Sequence, residues 1–124
     1  VDFAALAERF IGFYNSKEFD RLAAMTAAHL EFAHFNRNFA FSSRFELLQV
    51  LRQFADGLAP DRHFLPPERV SVCGNIVVRE AWWEATAQVD LPGFAPAGGH
   101  IRLRFCSVMR FDAGGLLVEW RDYG

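Results

Sequence analysis

Only two cysteines occur in the 124 residues, Cys73 and Cys106. They are too few and too far apart for a disulfide framework or a thiolate metal knuckle, and both fall in segments that read as strands, where a small buried thiol is ordinary. No apolar run reaches the roughly 18 residues that cross a bilayer, and no basic-then-hydrophobic leader opens the chain, so a cytoplasmic protein without membrane contact is expected. Charge of one sign is lacking as well. Thirteen Lys and Arg stand against fifteen Asp and Glu, for a net charge of -2. The basic residues are scattered, which leaves no electrostatic case for nucleic acid. A glycine-rich phosphate loop, a nucleophile elbow and a CxxC pair are all missing, which removes the strongest signals for nucleotide, esterase or thiol-redox chemistry. The spacings of histidines and carboxylates match no compact metal motif, so neither a metal nor a cofactor is expected.

What the chain has is aromatic. Fourteen Phe and three Trp in a composition that is 52% hydrophobic and 23% charged describe a folded protein with a ring-rich core. The length suits one domain, residues 1–124, rather than two. Phe3, Leu6, Phe10, Ile11 and Tyr14 recur at helical spacing and predict an amphipathic helix over 3–14. Phe19, Leu22 and Met25 form the apolar edge of a brief second helix ending near "MTAAH", and a short strand is expected over "LEFAHFN". Ser43 and Glu46 have capping-box spacing before a third helix, with Leu47, Leu48, Leu51, Phe54 and Ala55 as its buried stripe and an end near Gly57.

After the prolines at 60, 66 and 67 the period changes to two. Strands are expected over 69–73 and 76–89, hinged at "GN", then over 101–111 and 116–123, hinged at "DAGG". Helices first and long antiparallel strands afterwards make an α+β pattern. The expected architecture is cone-like, with three N-terminal helices on a strongly curved, largely antiparallel sheet that encloses a pocket for a small hydrophobic ligand.

One residue breaks the pattern. In the closing "LLVEWRDY", Leu116, Val118, Trp120 and Asp122 share the apolar side of the strand. A carboxylate there is either compensated, for instance by Arg79 or Arg121 at a rim, or used in a pocket. His34 and Asn36 share a face of their strand with Phe32, and with a carboxylate they form a set able to orient a polar substrate or move a proton. Asp122 and His34 are therefore the catalytic candidates. Asn36, Tyr14, Phe32, Leu103, Phe105, Ser107 and Trp120 are candidates for contacts to the substrate. On the strand from 76 to 89 either face suits the interior. The even one carries Glu80, Trp82 and Glu84, and the cost of burying two glutamates favours placing it outside, as a solvated or dimer-forming surface.

The segments "FIGFYNSKEFDRLAAM", "SSRFELLQVLRQF", "VSVCGNIVVREAWWEA" and "RLRFCSVMRFDAGGLLVEWRDY" together resemble the nuclear transport factor 2-like superfamily in its SnoaL-like branch, over essentially the whole chain. The closing "EWRDY" is similar to the end of limonene epoxide hydrolases. That resemblance implies a water-activating role for Asp122 in an Asp-Arg-Asp set, whose other members fall on Glu80 and Trp82, or on Arg79 and Ala81 if a bulge intervenes. Resemblance to ketosteroid isomerases puts Phe10 where those enzymes carry a tyrosine and Ser107 where they carry an acid. SnoaL-type cyclases ask only for an acid-base residue in an aromatic pocket, which His34 with Asp122 would supply. The superfamily also implies a homodimer through the outer face of the sheet. The functional expectation is binding of a small hydrophobic molecule with general acid-base catalysis of cyclase, isomerase or epoxide hydrolase type. The alternative is a non-catalytic ligand-binding or dimeric interaction domain.

Overall fold

Asp2 opens the first helix. Its carboxylate accepts from the Ala5 amide at 3.0 Å, taking up one of the donors that a helix start leaves free. The computed structural model describes all of residues 1–124. Helix α1 (Phe3–Ser16) buries Ala7, Phe10, Ile11 and Tyr14 and ends at Lys17, whose φ of 61° turns the chain. Buried Arg62 lies over the Tyr14 ring at 4.2 Å and donates through Nη2 to the Tyr14 carbonyl at 2.7 Å. A cation at that helix end also meets the negative pole of the helix dipole.

Helix α2 (Phe19–Ala24) stops earlier than its pattern predicts, because the Thr26 hydroxyl bonds back to the Leu22 carbonyl at 2.8 Å and strand β1 (Thr26–His34) starts at once. The strand is thus shifted toward the N-terminus of the expected "LEFAHFN". It ends at His34, and Phe35–Arg37 form a 3-10 turn closed by Asn38 at φ 53°. Strand β2 (Phe39–Phe41) returns antiparallel to β1. Ser43 then accepts from the Glu46 amide at 3.2 Å, as the capping pattern predicts, and α3 (Arg44–Gln53) widens into a π turn over Phe54–Leu58.

The remaining strands are β3 (His63–Phe64), β4 (Arg69–Cys73), β5 (Ile76–Thr86), β6 (His100–Phe111) and β7 (Leu117–Tyr123). Their order is β2-β1-β7-β6-β5-β3, with β4 also on β5, and every pairing is antiparallel except β1 with β7. The sheet is mixed, largely antiparallel and not closed. Helix side chains such as Phe10, Leu22, Leu47 and Leu51 share one core with its inner face.

The register of β5 against β6 runs unbroken from Ile76 to Thr86. Val77, Arg79, Ala81, Trp83 and Ala85 therefore face inward and are buried. The even residues face out, as the cost of burying glutamates requires. There Glu84 pairs with Arg102 at 3.2 Å, Glu68 with Arg104 at 2.7 Å, Glu119 with Arg121 at 3.1 Å and Glu80 with Arg69. Trp82 lies between the guanidiniums of Arg102 and Arg104, at 4.3 and 5.0 Å. Burial of both cysteines is not observed. Cys73 is exposed and Cys106 half-buried, because both belong to this outer layer. No helix is long and apolar enough to cross a membrane.

Candidate acid-base pocket

The inner face of the sheet, α1 and α3 leave a cavity of about 260 Å³ between them. Thirteen of its sixteen lining residues are hydrophobic, so a polar group in that wall stands out. The sheet contributes Phe32 and His34 from β1, Leu103 and Phe105 from β6, and Trp120 and Asp122 from β7, while α1 contributes Tyr14. These are seven of the nine residues expected there from sequence. The stripe of α3 and its π turn adds Leu47, Leu51 and Phe54.

Asp122 is 4% exposed. One carboxylate oxygen accepts from the Trp120 indole N–H at 2.6 Å, a contact available because residues two apart on a strand share a face. Loss of water around the carboxylate pushes its pKa from 3.8 up to about 7, against the opposing pull of bonds from Ser107 and Trp120 and the charge of Arg79. No arginine forms an ion pair with it. Arg79 is buried, but its fork is taken by Glu8 at 2.7 and 3.1 Å, and Arg121 turns to Glu119. The rim clasp that the sequence allowed is thus not formed.

His34 lies opposite Asp122 in the parallel β1–β7 register. No hydrogen bond joins the two side chains. The His34 ring packs edge-on against Phe105 at 5.2 Å, its Nδ1 is buried without a partner, and burial followed by the charge of Arg37 lowers its pKa, which favours neutral imidazole at pH 7. Tyr14 accepts a hydrogen bond from the Trp83 indole at 2.9 Å, and burial pushes its pKa up to about 12, so it keeps its proton.

Two expected contacts do not reach the cavity. Asn36 lies on the exposed 3-10 turn and donates to the Gly124 carbonyl at 3.0 Å, because β1 ends before the alternation could carry it inward. Ser107 is buried on β6 directly opposite Asp122 and supports that carboxylate from within the sheet. Conversely, Arg37 lines the cavity without any expectation from sequence. A turn residue at the end of a strand has no periodicity to reveal where it points.

The epoxide hydrolase arrangement is incomplete. The inward pair on β5 is Arg79 and Ala81, presented without any bulge, so alanine occupies the place of the second acid and the arginine is already paired. For the isomerase arrangement, Phe10 is fully buried against Trp120, while a tyrosine does line the cavity one turn later at Tyr14.

The fold recurs in solved structures. A candidate polyketide cyclase from Xanthomonas campestris superimposes with a TM-score of 0.84 at 15% identity, over 98% of this chain and 89% of that one. An LEH-like epoxide hydrolase from M. tuberculosis gives 0.75 at 18% identity, over 96% and 75%. A protein from Catenulispora acidiphila with a ketosteroid isomerase-like fold gives 0.76 at 12% identity, over 96% and 84%. At such identities the likeness is one of fold. No curated protein matches the chain by sequence. Residues 7–120 match the SnoaL-like domain, and the chain belongs to that family.

Proposed function

We propose that the 124 residues work as one SnoaL-like unit that binds a small hydrophobic molecule and moves a proton on it, as an isomerase or cyclase does, with Asp122 as the acid-base group. The observation that carries this reading is Asp122 itself, buried in an apolar cavity wall, free of any arginine partner and poised near pH 7. A group with that pKa gives and takes protons with least penalty at neutral pH. The Trp120 indole holds the carboxylate in one orientation, and the uncharged Tyr14 hydroxyl in the same wall suits an oxygen that gains charge as the proton leaves carbon. His34, neutral and adjacent in register, is a second carrier for the proton. Hydrolysis of an epoxide is disfavoured by Ala81, which cannot orient a water opposite Asp122.

The test is a panel of enolisable cyclic and aryl ketones with aldol-competent side chains, followed by turnover and by solvent deuterium entering the carbon next to the carbonyl. Wild type is expected to exchange or cyclise at least one of them, and Asp122→Asn to lose about 10²- to 10⁴-fold in rate while still binding it. Binding without turnover across the panel would make the chain a ligand-binding domain instead. A second copy is expected to pack on the outer face around Trp82, which sedimentation at micromolar concentration tests.

A further inference from the structure

Arg37 is the one guanidinium in the cavity wall. Most arginines of this chain face a carboxylate or a carbonyl, as Arg69, Arg79, Arg102 and Arg104 do. Arg37 makes no ion pair and no side-chain hydrogen bond, and its Nε is buried without a partner. Its guanidinium lies over the Phe94 ring at 4.2 Å, a contact that fixes the plane of the fork but uses none of its in-plane N–H donors. His34 Nδ1, close by at the end of β1, is likewise buried and unpartnered. An N–H such as that of Arg37 Nε, removed from water and left unmatched, is stabilised when a ligand supplies the acceptor, and a planar fork suits a carboxylate best.

The rest of the wall is aromatic and aliphatic, so the partner of Arg37 belongs to a molecule with an apolar body. We propose that the pocket takes a hydrophobic carboxylic acid in its anionic form, with the carboxylate on the Arg37 fork and the apolar body against Phe105, Leu103 and Trp120. This deepens the reading of the cavity as a substrate site and rests on it. It distinguishes the free acid from its ester, since an ester has the same body but only a neutral, weaker acceptor. Asp122 is in the same wall, so the reacting carbon is expected to be separate from the anchored carboxylate, and the anchoring charge is retained through the reaction.

Calorimetric titration at pH 6.5, where Asp122 mostly keeps its proton and the lowered pKa of His34 favours neutral imidazole, tests this with 4-phenylbutyrate and trans-cinnamate against their methyl esters, on wild type, Arg37→Met and Arg37→Lys. Wild type is expected to bind an acid at least tenfold more tightly than its ester. Arg37→Met should erase that preference and leave the ester within about twofold, because methionine keeps an apolar contact on Phe94. Arg37→Lys should retain part of it through charge alone. Esters that bind wild type as tightly as the acids, or an acid preference that survives Arg37→Met, would overturn the proposal while leaving the role of Asp122, which is read on turnover, untouched. Failure of acids and esters alike to bind would sink both the proposal and the cavity as a site for such molecules.

Discussion

The two faces of one sheet treat their carboxylates in opposite ways. On the outer face, the half-buried Glu80 is held by Arg69, Glu84 by Arg102 and Glu119 by Arg121, each close to an exposed counterion. On the inner face, Asp122 accepts from the neutral Trp120 indole, faces the Ser107 hydroxyl across the sheet and has no ion pair. The consequence is visible in their acidities. The Arg69 hydrogen bond pulls Glu80 below the usual carboxylate range, while burial pushes Asp122 to about 7. The same chemical group is acidic and paired on one side and close to neutrality on the other, and the difference is made by water and partners rather than by residue type.

The contrast between the two faces has its largest consequence for stability against pH. Asp122 has a folded pKa of about 7 and an unfolded one near 3.8. Well below pH 4 it is protonated in both states and costs nothing. As pH rises the unfolded chain ionises first, so the folded state loses stability through the window from about 4 to 7, and the penalty is then constant. A rise of that size corresponds to roughly 4 kcal/mol, of which roughly 3 kcal/mol falls between pH 5 and pH 8. Denaturant unfolding of Asp122→Asn should therefore fall less in stability between pH 5 and pH 8 than wild type, leaving the variant relatively more stable at pH 8. Parallel curves for the two proteins would show that Asp122 is not isolated from water as the inner face requires.

Ser107 stabilises the charged form of Asp122, so Ser107→Ala should raise the Asp122 pKa further, by about one unit for a single bond to a charged group. Whether Asp122 acts as base or acid, the limb of the pH-rate profile that reports it should move to higher pH. A movement to lower pH would mean that Ser107 bonds the neutral carboxyl instead. The nearly equal volume of alanine keeps the change confined to that bond.

How far this division is legible in the sequence depends on the kind of signal. The inward positions of Tyr14, Phe32, His34, Leu103, Phe105, Trp120 and Asp122 follow from period-2 and helical spacing, and all seven line the cavity. The outward position of Glu80 and Glu84 follows from the cost of burying them unpaired, and the pairing with Arg69 and Arg102 is its counterpart. Asn36 departs from expectation because strand alternation does not extend past His34 into residues that the Asn38 turn takes out of the sheet. Ser107, expected as a ligand contact, meets Asp122 instead, because cross-strand register cannot be read from one strand alone. Arg37 gives no signal in the sequence because its role depends on the turn carrying it back over Phe94, a contact between segments far apart in the chain.

Glu80→Gln is expected to change stability less than either inner-face substitution. Glu80 has its pKa lowered by the bond from Arg69, so its contribution to stability has the opposite sign of dependence to that of Asp122: present above the unfolded pKa and lost as pH falls through the folded one. That contribution operates at a partly exposed pair, 34% exposed on the Glu80 side, where hydration competes with the contact and salt weakens it. Removing the charge should leave the thermal midpoint almost unchanged at pH 8, shift no limb of the pH-rate profile, and make no difference at high salt. Arg69 then returns to solvent without penalty, since its side chain is 70% exposed. If Glu80→Gln instead altered the pH dependence of stability as much as Asp122→Asn does, exposure and pairing would not be what separates the two carboxylates, and the apolar setting of Asp122 would no longer explain its place near neutrality.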